Sequence, residues 1–398
     1  MIWPFVVHLI GAYGAGAIYP AAGDHKTLTP LSGLALVGKA IARFSQLRQL
    51  IDPRFPVRGG IPNSDVLIAY LGLLCQGKSD FDAIERFRED RFFSEGLGLR
   101  AVLSSPTVRQ RLDTRAEEFL PLVDESLLQL VKWSKVPITP LSCGWVALDM
   151  DVFTLDNSDT RKESIGWTYA GFVGYAPPLR RIWGRRAGVS AWSCGKGTQH
   201  SAEATDATLD RVLPRALQLT HAPLLVRLDA GFHGKNFAQA IARYDATRRE
   251  TSGAPVAFLV KWNRRGHDLE AIAQRRHAQA DAVWGSPRPG KRVTVWEEDA
   301  HVGTVAVRRI FRLTERTILA NGQRLLLPEM TLEGWDTTLP DSLDAQTVIA
   351  LYADHATHEQ FHAEIKTDLD LERLPSGTFA TNDLVLTLGA MWPTTSCA

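Results

Sequence analysis

Between Pro30 and about Pro140 the apolar positions recur near every 3.6 residues: Leu34, Leu36, Val37, Ile41 and Phe44, then Val66, Ile68, Leu71 and Leu74. That period lays an apolar stripe along one side of a helix and predicts a helical module. Ser64 and Asp65 stand as candidate caps of the second stripe. Ser105-Pro106-Thr107 opens a further helix that carries Arg109, Arg111 and Arg115. Such a module suits DNA contact, and it equally suits a plain helical bundle.

At Pro140 the pattern changes. Gly144 to Phe153 reads as a strand, Thr168 to Ala176 as a second and Gly188 to Cys194 as a third. A helical pattern from about Ser201 to Leu219 follows. Pro223 to Asp229 is then a nearly continuous apolar run that ends in an acid, as a buried central strand would. A helix near Asn236 to Tyr244 and a strand over Val256 to Lys261 complete the order strand, strand, strand, helix, strand, helix, strand, which is that of an RNase H-like domain. Residues 263–340 are rich in arginine, proline and β-formers and predict a mostly β insertion, after which Asp341 to Lys366 returns to helix. The predicted fold is therefore α/β: an RNase H-like core of mixed sheet and flanking helices, interrupted by the insertion and preceded by a helical domain. The boundaries fall at 1–28 (an atypical apolar leader), 29–140 (helical), 141–262 (core), 263–340 (insertion) and 341–398 (core helices). Pro4, Pro20, His8 and several glycines make the leader a poor signal peptide and a marginal membrane span.

The 398 residues carry a net charge of only +1, which conceals an asymmetry. Residues 161–320 hold 26 Lys+Arg against 14 Asp+Glu, a net of +12, and the remainder is net −11. Most of the excess is arginine, including Arg264 and Arg265. Arginine suits bidentate phosphate contact, so the window is a candidate nucleic-acid footprint. The four cysteines are scattered without a C-x-x-C pair. This argues against a zinc ribbon or a disulfide framework and fits a reducing cytoplasm.

Three acids take positions that suit metal chemistry. Asp151 ends the first strand, Asp229 ends the central strand, and Glu359 lies on the late helix. Carboxylates at strand ends open onto the mouth of a sheet, and three can hold two Mg²⁺ ions. Asp149 shares a face with Asp151, because side chains alternate along a strand, and is an alternate for it. Glu364 is the alternate for Glu359, five residues on and therefore turned well away from it on a helix.

Glu359 also belongs to a second motif. His358-Glu359-Gln360-Phe361-His362 spells H-E-x-x-H, which on a helix sets two imidazoles on one face for zinc. Position 365 is Ile and 368 is Asp, so the longer form of that motif fails. No histidine follows His362. A zinc metalloprotease would also leave Asp151, Asp229 and the arginine-rich window without a role.

An ordered set of segments resembles the DDE transposases of the prokaryotic insertion-sequence family numbered thirteen-eighty. These are Leu148-Asp149-Met150-Asp151-Val152, Asp156-Asn157-Ser158, Arg161-Lys162-Glu163, Gly174-Tyr175-Ala176-Pro177, Gly197 to Ser201, Leu224 to Gly231, Glu364-Ile365-Lys366 and Arg373 to Gly377. Ser105 to Asp113 adds a match in the N-terminal part, and coverage runs from about Leu28 to Met391. The spacing Tyr352…His355…Glu359…Lys366 is similar to the tyrosine–arginine–glutamate–lysine helix signature of the wider group. The resemblance implies catalytic and metal-binding roles for Asp151, Asp229 and Glu359, with two Mg²⁺ ions that Mn²⁺ can replace. It implies phosphate-holding positions at Tyr352 and Lys366, with His355 standing where the wider group has arginine. The partners implied are the double-stranded DNA of transposon ends and target, and a second copy of the chain when two ends are brought together. The expected place is the cytoplasm, at the nucleoid, with no membrane. The second reading is a decayed transposase that binds DNA without cutting it. It is motivated by His355 and by the tail Trp392 to Ala398, which in a shifted frame can encode Ala-Tyr-Asn-Leu-Leu-Arg and so predicts a frameshift near residue 391.

Overall fold

In the computed structural model, which describes residues 30–135, 137–182, 189–192, 195, 205–353 and 362–391, the N-terminal periodicity becomes helix. Helix α1 (Leu34–Phe44) buries Leu34, Val37, Ile41 and Phe44, the stripe its spacing predicts. Helices α2 (Leu47–Ile51) and α3 (Asn63–Leu74) follow, and α3 is buried on every side. Ser64 and Asp65 do not cap α3 but lie within its first turn, behind Pro62. Asp65 instead accepts from the Arg48 guanidinium on α2 and, at 2.7 Å, from the Arg100 amide, so it ties a neighbouring helix and a loop to α3. A 3₁₀ turn (Phe81–Phe87) and α4 (Arg91–Leu97) lead to the long α5 (Ser105–Ser134). Pro106 sits in the first turn of α5, where no intrahelical partner exists for the missing N–H. Glu85 accepts from the Ser105 amide at 2.6 Å and thereby satisfies one of the free donors at that end.

The α/β region begins with β1 (Val146–Val152). Short strands β2 (Leu155–Asp156), β3 (Gly166–Trp167) and β4 (Val173–Tyr175) form a small antiparallel sheet in the order β2-β4-β3. Strands β5 (Pro178–Ile182) and β6 (Val189–Trp192) pair antiparallel. Then come α6 (Thr205–Leu219), β7 (Leu224–Leu228), α7 (Lys235–Ser252), β8 (Val256–Lys261) and α8 (Leu269–Ala278). Strands β9 (Gly285–Arg288), β10 (Lys291–Val302), β11 (Val305–Ile318) and β12 (Arg324–Thr337) precede helices α9 (Ala345–Ala353) and α10 (Phe379–Met391). No helix among the described residues is long and apolar enough to cross a membrane.

These elements fall into two compact units. One holds the N-terminal helices through Thr139, Val152–Gln199 and His358–Ala398. Its spine is α5 against α10, and Asp113 of α5 accepts from the hydroxyls of Ser376, Thr378 and Thr381 just before and within the start of α10. The grouping therefore sets the C-terminal helix with the N-terminal ones, where the sequence reading placed it with the sheet.

The other unit, Pro140–Asp151 and His200–Thr357, is a mixed seven-stranded sheet with flanking helices. Its strands run β1-β7-β8-β12-β11-β10-β9. Strands β1, β7 and β8 are parallel, in register from Val146↔Leu224↔Val256 to Met150↔Leu228↔Val260, and the rest are antiparallel. Parallel strands covered on both faces read as unbroken apolar runs, which is the pattern of Leu224–Leu228 and Val256–Val260. One face packs Leu225, Leu259, Ile310 and Trp335 beneath Val348 and Leu351 of α9. The opposite face meets α7, with Phe237 edge-on to Phe258 at 4.9 Å. Strands β10, β11 and β12 run 12, 14 and 14 residues, and β12 continues the same sheet by pairing with β8 through Trp335, Asp336 and Thr337.

Candidate active site

Strand alternation sorts the polar residues of the sheet onto two faces. Asp149 and Asp151 on β1, Arg227 and then Asp229 on β7, Lys261 on β8, Glu333 on β12 and Arg312 on β11 all fall on the face that α9 covers. They form a charged row near the C-terminal ends of the parallel strands, where open α/β sheets place their ligands.

Asp149 and Arg227 lie one rung deeper than Asp151 and Asp229 and are buried, Arg227 at 1 % exposure. The two stand opposite each other in the β1–β7 register. Arg227 donates from Nε to Oδ1 at 2.6 Å and from Nη2 to Oδ2 at 2.7 Å. A bidentate guanidinium occupies both carboxylate oxygens, so Asp149, the alternate to Asp151, is committed to this ion pair.

Asp229 follows the last residue of β7 and caps the 3₁₀ turn Ala230–Phe232, accepting from the Gly231 amide at 3.0 Å. Burial first, and the neighbouring Asp151 charge second, push its carboxyl up to about 6, against a smaller downward pull from the amides of Gly231 and Phe232. Asp151, half-buried at the end of β1, is thus close enough to act on Asp229. The same two acids reach Tyr352 on α9, whose hydroxyl is pushed well above its ordinary value by burial, then by Asp229, Asp151, Asp149 and Glu333. The phenol therefore stays protonated and can donate at this mouth.

A cation completes the row. Lys261 pairs with Glu333 at 2.7 Å, and its ammonium sits 4.1 Å from the Trp335 ring centroid and 5.6 Å from that of Tyr352. Arg312 also binds Glu333, at 2.5 Å. The trio Lys261, Glu333 and Arg312 carries a net positive charge. Burial lowers the Lys261 ammonium, and Glu333 partly restores it.

The remaining expected residues are placed as follows. Glu359, His355 and His358 lie outside the described residues. Glu364 begins the π turn Glu364–Asp368. Lys366 pairs with Glu372 at 3.2 Å, and His362 stacks on Phe153 at 5.2 Å. On α5, Arg111 donates to the Ile61 carbonyl at 2.6 Å, while exposed Arg109 lies over the Phe81 ring at 5.1 Å. Arg264 and Arg265 are exposed in the loop after β8. Among the described residues no group of three His, Cys, Asp or Glu gathers as a metal cluster. The acids brought together are Asp151 and Asp229.

Three residues of the row, Arg227, Lys261 and Glu333, escaped the sequence reading. Arg227 had a signal: a lone arginine inside an apolar strand needs a buried carboxylate, and Asp149 offered one. Lys261 and Glu333 have no local signal, because β12 meets β8 only through tertiary pairing. Three tryptophans fill packing roles. Trp262 is edge-on to Phe311 at 5.2 Å, Trp296 stacks on Phe311 at 5.0 Å, and Trp284 holds Arg292 at 4.9 Å. A cavity of about 210 Å³ lies beside Trp262 and Trp296, on the sheet face opposite the acids.

A comparison with protein-family models gives no match, and one with curated proteins gives none.

Proposed function

We propose that this chain is a DDE transposase that binds the ends of its own mobile element and carries out metal-dependent strand cleavage and transfer at the nucleoid, as a dimer when two ends are joined. In this reading β1, β7 and β8 with their helices are an RNase H-like core, and β9–β12 are its insertion. The observation that carries the reading is the pair Asp151 and Asp229 at the ends of adjacent parallel strands, with the Asp229 carboxyl raised by burial and by its neighbour's charge. Two acids that raise each other's cost of ionisation fit a divalent cation, which relieves that cost when it binds.

Asp151 and Asp229 would hold the metal, with Glu359 as the expected third ligand. Bound Mg²⁺ or Mn²⁺ supplies an activated oxygen nucleophile and stabilises the leaving oxygen. The chain's own groups do the rest. Tyr352 keeps its proton and donates to a phosphate oxygen. Lys261 can turn from Glu333 to a DNA phosphate while Arg312 keeps Glu333 neutralised. Arg264 and Arg265, next along the chain, extend positive charge away from the mouth for the flanking duplex.

The test is cleavage of a duplex carrying the element's terminal repeats, with Mg²⁺ or Mn²⁺, beside Asp229→Ala. The expected result is nicking by the parent chain and none by the variant. Binding without nicking by both would refute the enzyme and leave the DNA-binding protein. Nicking by both would remove Asp229 from the chemistry.

A further inference from the structure

Arg227 uses all three arms of its guanidinium. Two go to Asp149, and the third, Nη1, donates to the Leu351 carbonyl at 2.5 Å. Neutralising Asp149 needs only the first two. The third leaves the sheet and enters the last turn of α9, one residue before Tyr352. Leu351 lies in the last described turn of α9, Ala345–Ala353. Arg227 therefore fastens α9, next to Tyr352, from the centre of a neighbouring strand. Lysine could not replace it, because only the planar fork serves a bidentate carboxylate and a third acceptor at once.

We propose that the Asp149–Arg227 pair is a positioning latch that fixes the last turn of α9, and with it Tyr352, against the strand ends bearing Asp151 and Asp229. Its part in DNA cleavage rests on the function proposed above. The latch explains why a charged pair occupies a place where apolar residues would pack at least as well. It also explains why Asp149 and Asp151, on one face of one strand, have different tasks: the deeper acid holds Arg227, and Arg227 holds the helix.

The test uses the full chain with the double variant Asp149→Leu/Arg227→Met. Replacing both partners leaves no unpaired buried charge, so the sheet keeps its packing. The expected result is cooperative unfolding as in the parent, with amide hydrogen exchange over Val348–Tyr352 accelerated at least tenfold and exchange in β1 and β7 unchanged. Mn²⁺ affinity, read by paramagnetic resonance, and the cleavage rate should each fall at least tenfold. Unchanged exchange in α9 would overturn the latch. Faster exchange with unchanged Mn²⁺ affinity and cleavage would overturn its role at the site. If the parent neither binds Mn²⁺ nor cuts DNA, the proposed function fails, and the exchange measurement alone still decides the latch. Should the double variant not fold, Arg227→Lys keeps a cation for Asp149 but cannot span to Leu351, and the same exchange result is expected of it.

Discussion

Asp229 and Asp336 are acids on opposite faces of one sheet, and they are treated in opposite ways. Burial pushes both carboxyls upward. At Asp336 the paired hydrogen bonds from Arg309, at 2.7 and 2.9 Å, with His233 at 2.7 Å, outweigh burial and hold the carboxyl below its ordinary value. At Asp229 burial and then the charge of another acid, Asp151, both push the carboxyl up, to about 6. Depth alone therefore does not set the acidity of a carboxyl. What distinguishes Asp229 is the sign of the charge beside it, since a matched acid stabilises the fold and a mismatched one stores a demand for a cation.

The comparison breaks most visibly in cleavage. Asp229→Ala should reduce strand cleavage about a thousandfold, the scale of losing a main electrostatic element of a transition state. Asp336→Leu should leave the cleavage rate of the folded protein within a few-fold. That second variant should instead lose about 3 kcal/mol in denaturant unfolding, because Arg309 is left largely buried without its acid. An Asp336→Leu protein as stable as the parent would show that the pair on the far face contributes nothing.

Acidity separates the two acids next. In metal-free protein the folded value at Asp229, about 6, lies above the ordinary 3.8, so the folded state holds a proton that the unfolded state releases. Stability should rise as pH falls from about 7 through 6 toward 4, by on the order of 1–3 kcal/mol. The rise should vanish in Asp229→Asn. Asp336 acts in the other sense: its contribution is present above the ordinary carboxyl value and is lost only as pH falls through its lower folded value. Melting temperatures at pH 7.5, 5 and 3 read both slopes. The smallest expected effect is at the cation of the row. Lys261→Met should lessen the slope of log K against log salt for duplex binding by about 0.9, one phosphate contact. An unchanged slope would remove Lys261 from DNA contact.

Much of the sheet unit was legible from pattern alone. Leu224–Leu228 and Val256–Lys261 appear as strands where their apolar runs predict them, because a central parallel strand has only one way to read. Asp151 and Asp229 could be picked out as strand-end acids for the same reason. The long strands were less legible. Glu298 and Asp299 break the apolar alternation of β10, and only the register with Arg309 and Arg308 on β11 makes them strand residues. Ser64 and Asp65 misled as caps, since the donors that Asp65 serves, on Arg48 and Arg100, lie far away in sequence. The choice between Asp149 and Asp151 could not be made by alternation, which puts both on one face. It needed the depth at which Arg227 stands.

Strand β12 meets β8 from Glu333 to Thr337: Glu333 pairs with Lys261, the Gly334 carbonyl accepts from the Trp262 amide, and Trp335, Asp336 and Thr337 are in register, yet the strand begins at Arg324. Nine residues of strand, 324–332, therefore run on past that footing, a reach of roughly 30 Å at about 3.3 Å per residue. With β10 and β11 alongside, this ribbon is a lever whose fulcrum holds Trp335 on the acid face and Asp336 on the other. A load at its far end, where Leu326 and Leu327 stand out into solvent, is delivered as torque to that footing. Lys261, opposite Trp335 in the register, is the first mouth residue to feel it.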